Sequence, residues 1–121
     1  MKHILLLEDD PNVTDLLACL LNESGYYVSS TWRVADAREI IEKAKVDLFV
    51  ADILLPDGTA FPAIEEAKRR DVSCLIITGS WPHMAQFEAN GEFHLAKPFR
   101  LRDFTAQVLQ RIGPGEGHNC S

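Results

Sequence analysis

Four short, largely apolar runs stand far apart in the chain, and each breaks off at a polar group. Ile4–Leu7 ends at Glu8-Asp9, Leu48–Ala51 at Asp52, Leu75–Ile77 at Thr78, and Phe93–Ala96 at Lys97. Runs this short, separated by helical patterns, predict buried parallel strands, because a strand covered on both faces shows no apolar–polar alternation. Parallel neighbours need a long crossover, usually a helix. That confines the chain to an α/β sandwich. In an open parallel sheet, binding chemistry collects beyond the carboxyl ends of the strands. The four breaks therefore predict one cleft holding three acidic groups, a hydroxyl and an ammonium.

The segments between the runs carry helical periodicity. Val13, Leu16, Leu17, Leu20 and Leu21 fall on one helix face, and Gly25 closes that helix. Tyr26–Thr31 mixes apolar and polar residues, as an edge strand would. Ala37, Ile40, Ile41 and Ala44 form a second stripe. Pro56-Asp57-Gly58 reads as a turn, and Phe61, Ile64 and Ala67 mark a third helix with Pro62 in its first turn. Asp71–Thr78 carries the fourth strand. Gly79–Gly91 is the least regular stretch, with Met84 and Phe87 facing inward from a short fourth helix. Leu101, Phe104, Val108 and Ile112 make the last amphipathic helix. Residues 1–112 are read as one domain and 113–121 as a flexible Gly-rich tail.

Bulk properties exclude several classes. A chain of 121 residues can bury a core without disulfides. The net charge of −6 argues against a nucleic-acid surface on this domain, which would need a basic stripe. No apolar run approaches the length of a membrane span. Cys19, Cys74 and Cys120 show no Cys-x-x-Cys spacing, so reduced thiols in a cytoplasmic protein are expected rather than a metal site. His3, His83 and His118 have no partners identifiable from sequence.

For Asp9 and Asp52 to meet, the first and third strands must be neighbours. The flavodoxin-like order 2-1-3-4-5 achieves this and leaves the second and fifth strands, with the weaker runs, at the edges. The expected fold is (βα)5, a five-stranded parallel sheet with helices on both faces. Two carboxylates about 4 Å apart repel by roughly 4 kcal/mol at an effective dielectric of 20, so the trio requires a proton or a cation. Mg2+ fits best, since it takes one or two carboxylates, several waters and a phosphate oxygen. Asp52, at the end of the central strand, is placed to act as a nucleophile. Lys97 would set a fixed positive charge against the transferring group. Thr78 can donate its hydroxyl to a phosphoryl oxygen, and the N–H groups of Ile53 and Gly79 can add further donors. Asp10 reads instead as the start of the first helix.

With these residues in place, the chain resembles a bacterial two-component response-regulator receiver domain over nearly its whole length. The matching motifs are Leu5-Leu6-Leu7-Glu8-Asp9-Asp10-Pro11, Asp52-Ile53-Leu54-Leu55-Pro56-Asp57-Gly58, Ile77-Thr78-Gly79 and Lys97-Pro98-Phe99. All four, in order and each after its own strand, are specific. The resemblance implies that Asp52 is the phosphoacceptor and that Glu8 and Asp9 hold Mg2+ with Asp52. It adds the backbone carbonyl of Leu54 as a metal ligand. It assigns Thr78 and Lys97 to the phosphoryl group and implies a cis peptide bond before Pro98. The implied donor is a phosphohistidine on a sensor histidine kinase or a histidine phosphotransfer protein.

Three departures from the family bear on signalling. The aromatic usual three residues before the lysine is His94, which is expected to pair with Thr78 in the switch and to make output mildly pH-sensitive. Gly79 replaces the usual alanine and loosens its loop. The stretch from Thr78 to Lys97 is about three residues shorter than the family's, which predicts a short fourth helix and a remodelled partner face. The function expected is a stand-alone receiver, either a phosphorylation-controlled binding switch or a phosphoryl carrier, catalysing only its own phosphorylation and dephosphorylation. The alternatives are the receiver part of a larger regulator or hybrid kinase, and a pseudo-receiver that binds a partner without phosphorylation. The downstream partner is left unassigned, with a homodimer open.

Overall fold

A computed structural model of the chain describes residues 1–79 and 94–115. The elements are β1 (His3–Leu7), α1 (Pro11–Glu23), β2 (Tyr27–Thr31), α2 (Val34–Lys43), β3 (Leu48–Asp52), β4 (Leu54–Leu55), β5 (Gly58–Thr59), α3 (Phe61–Arg69), β6 (Ser73–Thr78), β7 (His94–Ala96) and α4 (Leu101–Ile112). Five strands form one parallel sheet in the order β2-β1-β3-β6-β7, while β4 and β5 make a separate antiparallel hairpin. With the hairpin set aside, the order is the expected 2-1-3-4-5. The expected short fourth helix, with Met84 and Phe87, lies outside the described residues. So do the side chain of His94 and the tail beyond residue 115.

The pleat explains why the central runs are apolar at every position. Leu5 and Leu7 of β1, Phe49 and Ala51 of β3 and Ile76 of β6 pack with Val34, Ala37 and Ile41 of α2 and with Ile64 and Ala67 of α3. Their neighbours Ile4, Leu6, Leu48, Val50, Leu75 and Ile77 pack with Leu17 and Leu21 of α1 and with Phe104 and Val108 of α4. Consecutive residues thus feed two separate cores, one on each face. Every residue of β1 and β3 is buried.

Local chemistry fixes the helix ends. Asp10 caps α1, its Oδ1 accepting from the N–H of Asn12 at 3.0 Å, and Pro11 follows in the first turn. Beyond the far end Gly25 adopts φ +92°, the left-handed conformation that suits glycine after a helix. Three stripe residues depart from the sequence pattern, among them Leu101 at the start of α4, which is 38% exposed. Leu16 is 51% exposed, beside an apolar groove that it lines with Val13, Leu17, Phe99 and Leu101. Ala44 caps α2 in an extended conformation and lies exposed.

His3, without a partner in the sequence reading, is buried and well connected. Its Nδ1 pairs with the carbonyl of Lys45 at 2.9 Å and its Nε2 with Ser29 Oγ at 2.8 Å. The residues before β1 and after α1 also meet the end of α4. Lys2 Nζ donates to the carbonyls of Ile112 and, at 3.1 Å, Pro114. Tyr26 OH donates to the carbonyl of Gly113 at 2.6 Å.

Candidate functional site

Strand register assembles the site. Leu7 lies opposite Ala51, so the next residues, Glu8 and Asp52, leave adjacent strands at the same level. Asp52 lies opposite Ile77, and Thr78 opposite Ala96, which brings Thr78 and Lys97 to that same edge. The backbone of Lys97 is tied in directly, its N–H donating to the carbonyl of Thr78 at 2.9 Å. The Lys97-Pro98 peptide bond is cis.

Glu8, Asp9 and Asp52 each offer a carboxylate oxygen, and the three oxygens lie within 4.8 Å of one another. Glu8 and Asp52 are buried, at 3% and 9% exposure, whereas Asp9 faces solvent. Lys97 Nζ bridges the buried pair, donating to Glu8 Oε1 at 2.8 Å and to Asp52 Oδ2 at 2.9 Å. The residue type follows from distance. β7 lies two strands from β3 and three from β1, so the reach is about 10–14 Å at normal strand spacing, less what the strand-end loop covers. A long flexible stem ending in a compact charge meets that requirement.

The remaining oxygens are also engaged. Glu8 Oε2 accepts from the N–H of Asp10 at 3.0 Å, and Asp52 Oδ1 from the N–H of Ile53 at 2.7 Å. Burial pushes the Glu8 carboxyl above the usual carboxylate range, against the pull of Lys97 and the Asp10 N–H. Burial alone would lower the Lys97 ammonium, but its hydrogen bonds to Glu8 and Asp52 outweigh this and hold it above the ordinary lysine value. The ammonium therefore stays charged and offsets the two buried carboxylates.

Thr78 is buried at the end of β6. Gly79 is exposed, and a Cβ placed on it would meet Lys97 Cβ at 3.9 Å, an ordinary contact that leaves room for alanine. Leu54 opens β4. The N–H of Ala60 donates to the carbonyl of Ile53 at 2.8 Å and closes the base of the hairpin, while the Ile53 N–H is taken by Asp52 Oδ1. Hydrogen-bonded and non-hydrogen-bonded pairs alternate in an antiparallel ladder. Leu54, paired with Thr59, is thus the non-bonded kind, and its carbonyl is directed out of the ladder.

Two neighbours of the site went unread in the sequence. Trp32 is 55% exposed and borders a cleft of about 380 Å³ with Glu8, Asp9, Thr14 and Asp15, and the Arg33 guanidinium lies 5.5 Å from its ring centroid. Asp57, taken as a turn residue, accepts from the N–H of Val34 at 2.9 Å and of Ala35 at 3.3 Å. The signal for it was available: the residue before α2 is Arg33, which offers no side-chain oxygen to cap the helix.

The donor set is all oxygen, which matches hard divalent cations such as Mg2+ and does not favour softer metals. Residues 4–109 match the family model described as the response regulator receiver domain. The TorCAD operon transcriptional regulatory protein TorR of Escherichia coli (strain K12) is 30% identical over 110 residues, covering 88% of this chain and 48% of that protein. The chain thus spans about half the length of that relative. The non-phosphorylated HemR receiver domain from Leptospira biflexa superposes with a TM-score of 0.81 at 27% identity, over 98% of this chain and 100% of the other. The response regulator protein TrrA from Thermotoga maritima, solved in complex with Mg(2+)-BeF, gives a TM-score of 0.80 at 23% identity, over 91% and 98% of the two chains. No helix among the described residues is long and apolar enough to cross a membrane.

Proposed function

The chain belongs to the response regulator receiver domain family, and from that premise we propose that it is a phosphorylation-dependent switch whose acceptor is Asp52. The observation that carries this reading is the Lys97 bridge. One ammonium spans from the fifth sheet strand to both buried carboxylates, Glu8 and Asp52.

In this reading Asp52 attacks the phosphorus of a phosphohistidine on a sensor histidine kinase or a histidine phosphotransfer protein. A phosphorus–oxygen bond forms as the phosphorus–nitrogen bond breaks, and the donor imidazole keeps the electron pair. Glu8, Asp9, Asp52 and the Leu54 carbonyl would hold Mg2+, which supplies positive charge beside the transferring group. Lys97 turns from Glu8 toward a phosphoryl oxygen and remains paired with the aspartyl side. Thr78 and the N–H groups of Ile53 and Gly79 donate to the other oxygens. Thr78 and His94 carry the switch that follows, a local electrostatic event that biases a two-state surface. The chemistry is the same whether the domain acts alone or as the receiver part of a longer regulator.

The test is phosphorylation with acetyl phosphate. Mg2+-dependent incorporation that disappears in EDTA and in Asp52→Asn is the expected result. Absent labelling, or labelling that survives Asp52→Asn, would overturn the proposal and restore the pseudo-receiver.

A further inference from the structure

Helix α2 starts at Val34 with no side-chain cap of its own, although the first N–H groups of a helix need acceptors. Its acceptors come from a distant part of the chain. Asp57 Oδ1 takes the N–H of Val34 and Asp57 Oδ2 that of Ala35. Asp57 sits in the turn between β4 and β5, and its carboxylate faces the positive end of the helix dipole. That hairpin starts at Leu54, two residues after Asp52, and is closed at its base by the bond from Ala60 to Ile53. Residues Ile53, Leu55 and Ala60 share one core with Val34. The tip of the hairpin is therefore fastened to α2, and its base to the acceptor residue itself.

We propose that Asp57 is a positioning residue for the metal site, holding the hairpin so that the Leu54 carbonyl and Ile53 N–H face the carboxylates. This rests on the reading of Glu8, Asp9, Asp52 and Leu54 as Mg2+ ligands. The cap serves two ends at once: it completes α2, and it removes the freedom of a loop only five residues from Asp52. A loop ordered before the metal arrives loses less entropy on binding it.

The two roles separate by substitution. Asp57→Ala removes the tether and the cap together. Adding Arg33→Ser restores a local cap for α2 without restoring the tether. Mg2+ dissociation constants are measured by calorimetry for wild type, Asp57→Ala and the double variant, at a temperature where circular dichroism shows each folded. The single variant is expected to bind Mg2+ about tenfold more weakly, the lower end for groups that orient metal ligands. The double variant is expected to regain thermal stability and keep the weak affinity. Wild-type affinity in Asp57→Ala, or affinity restored in the double variant, overturns the positioning role and leaves the metal site standing. Absence of Mg2+ binding by the wild type overturns both.

Discussion

Replacing Lys97 by methionine keeps the stem and removes the charge, and the structure sets the size of the effect. The ammonium lies 2.8 Å from Glu8 Oε1 and 2.9 Å from Asp52 Oδ2, both on buried carboxylates. At the 4.8 Å limit of the cluster, two uncompensated carboxylates repel by about 3.5 kcal/mol at an effective dielectric of 20. Breaking a buried ion pair costs about 3–5 kcal/mol. The Lys97 side chain keeps 28% exposure, so water screens part of this and the lower end, about 3 kcal/mol, is expected. For a domain of this size that is a fall in Tm of roughly 10 °C. The assay is thermal unfolding at pH 7 in EDTA and then in Mg2+. If the proposed metal site holds, a metal in wild type would share Glu8 and Asp52 with the ammonium, and in Lys97→Met it would meet no such competitor. Mg2+ should therefore raise the Tm of the variant by more than that of wild type, and an affinity gain of about tenfold corresponds to about 1.4 kcal/mol of that difference. A variant that melts within about 2 °C of wild type in EDTA would refute this reasoning. Equal Mg2+ increments in the two proteins would refute the competition.

Two further outcomes follow from local geometry. Gly58 has φ +133° with nothing within 4 Å of an added Cβ, so its requirement is conformational and not steric. Gly58→Ala should cost about 1–2 kcal/mol in urea unfolding and weaken Mg2+ binding through the hairpin; unchanged values of both would show that the turn tolerates an L side chain. Glu66 accepts from Arg70 Nε at 2.7 Å and from Arg69, and these hydrogen bonds, Arg70 first, hold its carboxyl below the usual range. A carboxyl lowered in the folded state adds stability above its unfolded pKa and loses it as pH falls through the folded value. Glu66→Gln should therefore flatten the decline in urea midpoint below about pH 4, and parallel curves for the two proteins would exclude the effect.

The sheet was legible because β1 and β3 feed two cores at once, which leaves no polar position to interrupt the run. The convergence of Glu8, Asp52, Thr78 and Lys97 was legible for a related reason. Each ends a strand, and a shared register places strand ends together without any knowledge of side-chain packing. What depended on a partner outside the local pattern was not legible. Leu16 satisfies the helical period of α1, yet it lies at the margin of the covered face beside the start of α4. His3 looked solitary because its partners, Ser29 and Lys45, come from an edge strand and a loop. Asp57 matched a turn so well that its second task, 23 residues away in sequence from Val34, left no trace in local propensity.

The bonds from Lys2 to Ile112 and Pro114, and from Tyr26 to Gly113, give the molecule two poles. Lys2 precedes β1, so these attachments lie at the amino ends of the strands, while Lys97 and the carboxylates lie at the carboxyl ends. Five residues of strand separate them, about 16 Å at the usual rise. Among the described residues, the attachments of Lys2 and Tyr26 to residues 112–114 therefore lie at the pole opposite the cleft and take no part in its mouth. Substitutions at one pole can therefore alter the strand-start attachments without touching the carboxylates at the other.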